Sequence, residues 1–268
     1  SLDVIVCVTA QHRQMLDQVL RTFSVVPDYD LNIMKDRQTL FDISTEILKK
    51  IGKVLETVKP DLVLVHGDTS TTFAGALSAF YHQVPVGHVE AGLRTYDKYS
   101  PFPEEMNRCM VGRIADCHFS PTAQNAENLR KEGICENIFI TGNTVIDALK
   151  TTVREDYTHP ELEWASDSRL IIITAHRREN LGEPMKNIFR GIRKALNEVE
   201  GYKVIYPIHK NPLVRAAADE IFGDCDKVKL IDKLKTFRSK TEEYWTAICL
   251  LCHISIPSIH QSWKYRSL

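Results

Sequence analysis

The chain has no apolar run near the roughly 18 residues that a membrane span needs, so no transmembrane segment is expected. It also lacks a surplus of positive charge. There are 34 Lys and Arg against 35 Asp and Glu, for a net charge of -1 and a pI of about 6.8. Non-specific nucleic-acid binding draws on a basic surface, and none is expected here. The seven cysteines are Cys7, Cys109, Cys117, Cys135, Cys225, Cys249 and Cys252. An odd count without regular spacing fits reduced thiols in a cytoplasmic protein better than a disulfide framework. Cys249-Leu-Leu-Cys252 has CxxC spacing, but no second ligand pair follows it, which leaves a metal or redox role without support. No signal-peptide pattern is visible. The chain opens on Ser1 and turns strand-like almost at once, so its N-terminus reads as truncated. Glycine is absent after Gly223. What is present is ordinary for a folded protein: 268 residues, 43% hydrophobic and 26% charged, enough for one large domain or two ordinary ones.

Strand and helix signals alternate. Residues 4–8 form a β-branched run, and 14–23 carry apolar residues at helical spacing. Over 43–58, Ile43, Ile47, Ile51, Val54 and Val58 fall on one face, and Pro60 ends that helix. Residues 62–65 are continuously apolar, the pattern of a strand buried on both faces. Helices over 73–81 and 104–114 and strands over 84–89, 117–119 and 138–140 continue the alternation. Residues 157–168 are polar, include Pro160 and read as a linker. A strand over 170–174, a helix over 185–199 and a strand over 203–206 follow. The expected fold class is α/β, with two Rossmann-like, doubly wound domains and a ligand cleft between them. Residues 1–165 make the first domain, without its first strand. Residues 166–268 make an incomplete nucleotide-binding domain that becomes irregular after 232.

In parallel sheets, ligands bind beyond the carboxyl ends of the strands. Four strand ends carry chemistry-bearing residues. His66-Gly67-Asp68-Thr69-Ser70-Thr71-Thr72 opens a helix, where Asp, Ser or Thr serves as a cap; a carboxylate facing the cleft is the alternative reading. Gly87-His88-Val89-Glu90-Ala91-Gly92-Leu93-Arg94-Thr95 reads either as an internal salt bridge or, as its flanking glycines favour, as a site of close approach. Pro103-Glu104-Glu105 alone is ordinary helix-start chemistry. Thr174-Ala175-His176-Arg177-Arg178-Glu179-Asn180 suits a pyrophosphate, because guanidinium pairs with phosphate oxygens; a solvated charge cluster is the alternative. Tyr206-Pro207-Ile208-His209-Lys210-Asn211-Pro212 is a weaker site of the same kind.

Taken together, Thr9-Ala10-Gln11-His12-Arg13-Gln14-Met15-Leu16, the 65–69, 87–95 and 176–180 segments, Pro101-Phe102-Pro103-Glu104-Glu105-Met106-Asn107-Arg108 and Ile140-Thr141-Gly142-Asn143-Thr144 resemble the non-hydrolysing UDP-N-acetylglucosamine 2-epimerases, in that family's order, over about residues 4–232. The resemblance implies a glycosyltransferase-B architecture, a cytoplasmic homodimer and no metal or other cofactor. It implies interconversion of UDP-N-acetylglucosamine and UDP-N-acetylmannosamine, a step that feeds bacterial surface polysaccharides. UDP is eliminated to a glycal and re-added with a proton on the other face of C2. Asp68, Glu90, Glu104 and His176 match the family's catalytic residues. Arg94, Arg177, Arg178, Asn180 and His209 match substrate contacts. Gln11, Gln14, Arg37, Gln38, Glu104, Arg178 and His209 match positions lining a second, activating UDP-N-acetylglucosamine site. Two family segments have no counterpart here: an N-terminal Gly-Thr-Arg-Pro-Glu loop and a C-terminal Asp-Ser-Gly-Gly loop with paired glutamates. The chain as written is therefore expected to be nearly inactive.

Three rivals stand beside this reading: a hydrolysing epimerase, a glycosyltransferase of the same architecture, and a non-catalytic remnant. Product analysis separates them, since UDP-N-acetylmannosamine marks the non-hydrolysing reaction and free sugar plus UDP the hydrolysing one.

Overall fold

The structure is a computed structural model that describes residues 2–11, 13–35, 37–152, 158–173, 175, 181–208 and 211–232. Contacts divide the chain into two units, Ser1–Ala148 and Leu149–Leu268. The first contains β1 (Cys7–Val8), α1 (Arg13–Phe23), β2 (Tyr29–Asp30), α2 (Leu40–Val58), β3 (Val63–His66), α3 (Ser70–Tyr81), β4 (Val86–Val89), α4 (Glu104–Ile114), β5 (Cys117–Ser120), α5 (Ala123–Lys131), β6 (Ile138–Ile140) and the start of α6 (Thr144–Thr152). The second contains α7 (Pro160–Trp164), β7 (Arg169–Ile172), α8 (Glu183–Glu198), β8 (Tyr202–Ile208), α9 (Pro212–Phe222) and β9 (Val228–Asp232). All pairings are parallel: β1 with β2, β3-β4-β5-β6 in order, and β7-β8-β9 in order. The expected α/β class with parallel sheets is the one found.

Local chemistry explains the element ends. A capping box opens α2: Thr39 Oγ1 accepts from Asp42 N–H, and Asp42 accepts from Thr39 N–H at 2.8 Å. Lys59, left-handed at φ 48°, closes it just before Pro60. Its inward face holds Ile43, Ile47, Gly52 and Leu55. The core of the first unit forms around Leu55, Val65, Ala76, Ala79, Val86 and Val111, with a second cluster of Ile33, Ile43, Ile47 and Ala74. In the second unit, Phe189 packs its ring against Tyr206 and Phe222, with centroids 5.6 and 5.2 Å apart.

Several expectations need correction. The 62–65 run is not buried on both faces. Val65 is buried, but Leu64, which points to the opposite face, is 61% exposed, because α2 and α3 pack against Val65's side. The N-terminal strand is shorter than residues 4–8; only Cys7 and Val8 pair. The 157–168 segment is not simply a linker. Pro160 takes an early helical position in α7, where its missing N–H costs nothing. Trp164 then lies under the ammonium groups of Lys203 and Lys229, and Lys229 pairs with Glu161. Those contacts attach α7 to β8 and β9. The contact boundary at Ala148/Leu149 stands ahead of the expected one near residue 166. The expected irregularity after 232 lies outside the described residues.

Candidate functional site

Parallel pairing brings the strand ends of the first unit to one edge. His66 registers with Val89, and Ser120 with Ile140, so the loops at 67–69, 90–92 and 141–143 leave the sheet together. Thr144 Oγ1 lies 3.4 Å from His66 Nε2, which ties the last of these loops to the first.

Asp68 follows β3. The helix cap expected in this segment exists, but Thr69 supplies it by accepting from Thr72 N–H. The Asp68 carboxylate is thereby left for another partner, Arg108, whose Nη1 lies 3.3 Å from Asp68 Oδ2. Arg108 and Glu105 are both buried, and Arg108 Nε donates to Glu105 at 2.7 Å. Glu105 also accepts from the backbone N–H groups of Thr95 and Tyr96, at 2.9–3.1 Å. This carboxylate is fully engaged within the fold. The neighbouring Glu104, half-buried at the first position of α4, forms no ion pair with any described residue. Of the two adjacent glutamates, Glu104 is the one available for chemistry.

Glu90 follows β4 with φ +68°, a left-handed conformation uncommon for a side-chain-bearing residue. Its Oε2 lies 3.9 Å from His66 Nε2, and both side chains reach solvent. Asp68 and Glu90 thus leave adjacent parallel strands at the same edge, each with a cationic or ionisable partner. Arg94 behaves differently. Its side chain is 0% exposed and meets Glu132 through two hydrogen bonds of 2.6 and 2.8 Å, with Nη1 donating to Leu93 O. This geometry gives Arg94 an internal salt bridge, as in the alternative reading, but with Glu132 as its partner.

Among the positions expected to line a second sugar-nucleotide site, Gln11 Oε1 accepts from Thr71 Oγ1 at 3.2 Å. Gln38 commits both ends of its amide to its own loop, accepting from Lys35 N–H and donating to Ile33 O. Arg37 is exposed, with φ +58°. The side chain of Gln14 lies outside the described residues, as do His176, Arg177, Arg178, Asn180 and His209. Sequence reasoning did not single out His66 or Arg108. Arg108 had a readable signal, its helical spacing of three from Glu105. Among the described residues, no three His, Cys, Asp or Glu side chains group closely enough to hold a metal ion, and no helix is long and apolar enough to cross a membrane.

Comparison with known proteins identifies the family. The family model described as UDP-N-acetylglucosamine 2-epimerase matches residues 1–241. The UDP-N-acetylglucosamine 2-epimerase of Bacillus subtilis is 60% identical over 236 residues, which are 88% of this chain and 62% of that protein. The chain therefore spans about three fifths of that relative's length. A solved structure of a UDP-N-acetylglucosamine 2-epimerase from Listeria monocytogenes superposes with a TM-score of 0.81 at 55% identity, covering 87% of this chain and 61% of that one. The UDP-GlcNAc 2-epimerase of Neisseria meningitidis, solved bound to UDP-GlcNAc, superposes at 0.78 with 45% identity, covering 88% and 66%. With the family model extending over nearly all of it, the chain belongs to the UDP-N-acetylglucosamine 2-epimerase family.

Proposed function

We propose that this chain carries the carboxylate half of an active site that inverts C2 of UDP-N-acetylglucosamine. One of Asp68, Glu90 and Glu104 takes the C2 proton, the C1–O bond breaks, and UDP departs with the electron pair. Re-addition of UDP reverses these steps, with the proton delivered to the other face by a second acid. Carbon acids of this kind are weak, so a positioned base and a positioned acid are both required. His176, Arg177 and Arg178, which follow β7 in sequence, are assigned to the departing pyrophosphate, where paired donors stabilise growing charge. Asn180 and His209 are assigned to substrate binding, and Gln11, Gln14 and Arg37 to the activating sugar nucleotide. The homodimer belongs to the same proposal.

The observation that carries the reading is the pair of carboxylates, Asp68 and Glu90, at the ends of adjacent parallel strands. Deuterium incorporation at C2 of UDP-N-acetylglucosamine in heavy water tests it. The assay is run with this chain and with a hybrid that adds the rest of the Bacillus subtilis relative. Exchange is expected in the hybrid, and Glu90→Gln lowers it by about 10²–10⁴-fold, the usual weight of a general acid or base. A variant within about threefold of the parent, well short of that range, makes Glu90 structural. Release of free sugar and UDP favours the hydrolysing reaction instead.

A further inference from the structure

The loop that carries Asp68 out of β3 is gripped by its carbonyl oxygens. His66 O accepts from Thr72 Oγ1 at 2.6 Å, Gly67 O accepts from His88 Nε2 at 2.8 Å, and Asp68 O accepts from Asn107 Nδ2 at 2.9 Å. Three consecutive carbonyls are thus met by three side chains from α3, β4 and α4. A strand's carbonyls ordinarily find backbone donors; past the strand end these must come from elsewhere. The donors are buried: Thr72 is 3%, His88 0% and Asn107 6% exposed. On its other side, Gly67 N–H donates to Val89 O at 3.0 Å, so β4 holds Gly67 at both its polar groups.

The chemistry at His88 defines its state. A carbonyl oxygen only accepts, so Nε2 carries the hydrogen. Nδ1 is then bare, and no described residue hydrogen-bonds to it. Burial, helped by the nearby His118, Arg94 and His66, pushes the imidazole down to about 4, so the ring is neutral at physiological pH.

We infer that Thr72, His88 and Asn107 are positioning residues, a three-point clamp on the 66–68 carbonyls that sets the direction of the Asp68 carboxylate. Gly67, at φ +74°, has both hands of backbone conformation open to it. Without the clamp it swings, and Asp68 leaves Arg108. As a statement about catalysis the inference rests on the epimerase reading; as a statement about the loop it does not.

Two pairs of variants test it. Thr72→Val keeps the shape and removes the hydroxyl, whereas Thr72→Ser keeps the hydroxyl. His88→Asn removes the donor at the Nε2 position, whereas His88→Gln restores an N–H there. In the hybrid used above, Thr72→Val and His88→Asn are expected to slow C2 exchange by roughly 10- to 100-fold with little change in KM, the cost of a misplaced catalytic group. Thr72→Ser and His88→Gln are expected to recover most of it. Equal rates in all four overturn the clamp, and so does equal loss in all four, which indicates packing alone. A second readout needs no turnover: the amide resonances of Gly67 and Asp68 in this chain. They move in Thr72→Val and His88→Asn and return in the partner variants. If the parent hybrid shows no exchange, the epimerase reading fails, and unmoved Gly67 and Asp68 resonances still overturn the clamp.

Discussion

Arg94 is buried and Glu132, 23% exposed, reaches it from the edge of the interior, and that placement sets what each charge does. The arginine side chain is fully buried, and Glu132 supplies both oxygens to it at 2.6 and 2.8 Å. Such a pair adds little or no net stability over a well-packed apolar replacement, but removal of one partner strands the other charge in a low-dielectric interior. Glu132→Ala is therefore expected to lower stability by about 3–5 kcal/mol, measured by urea unfolding, while UDP-sugar binding by the folded hybrid matches that of the parent hybrid. Weakened binding with unchanged stability gives Arg94 back the ligand role that its strand-end position suggested. Glu105 is held in a comparable way by Arg108 and two backbone N–H groups, which leaves Glu104 rather than its neighbour as the carboxylate of the proposed site.

At the scale of elements, the turn after β4 is seated on the start of α5. Gly92 O accepts from Asn128 Nδ2 at 3.0 Å and Asn125 Nδ2 at 3.4 Å. Gly92 itself has φ +87°, and a Cβ there stands 2.2 Å from Asn125 O. That atom belongs to helix backbone and cannot rotate aside. Gly67 offers the contrast: its φ is +74°, but a Cβ meets only Glu90 Oε2, at an ordinary 3.5 Å. Gly67→Ala should therefore cost about 1 kcal/mol of backbone strain. Gly92→Ala should cost about 3 kcal/mol, because overpacking adds to the strain. Thermal unfolding of the two variants measures the difference. Equal losses point to backbone conformation alone and remove the case for close packing of this turn on α5.

At the scale of the molecule, one buried side chain in each unit ties folding to pH, at opposite ends of the range. In the first unit, His88 is pushed from an ordinary 6.5 to about 4, and burial lowers His118 as well. A base whose folded value is depressed supports folding above its unfolded value and loses that support as the pH falls from 6.5 through 4. In the second unit, burial raises the Tyr206 hydroxyl from 10.0 to about 12, while it donates to Ala175 O at 2.6 Å. Its contribution is complete below 10 and is lost as the pH rises toward 12. Each effect reaches about 3 kcal/mol at its limit. Acid titration followed by NMR is expected to unfold residues of the first unit first, and alkali those of the second. His88→Gln should flatten the acid limb, and Tyr206→Phe the alkaline one. Acid and alkaline limbs that stay unchanged in these variants exclude the two side chains as the cause.

Alternation of strand and helix runs, with apolar faces at helical spacing, was enough to determine the α/β class, the parallel pairing and elements such as α2 and α4. It also placed Asp68 and Glu90 at strand ends, because ligand sites in parallel sheets follow topology. α5 was not legible: its stretch, 123–131, is mostly polar and turns only Ala126 and Leu129 of its apolar residues inward. α7 was hidden behind a proline that suits a helix start as well as a linker. At the site, local residue chemistry, as opposed to the family resemblance, could not distinguish Glu104 from Glu105, turn Arg94 inward, or connect His88 to Gly67. Those outcomes depend on partners 10 to 40 positions apart in the chain. Local propensity acts over a few residues, whereas the engagement of a buried charge or carbonyl depends on which distant donors the packed sheet and helices bring within about 3 Å, the reach of a hydrogen bond.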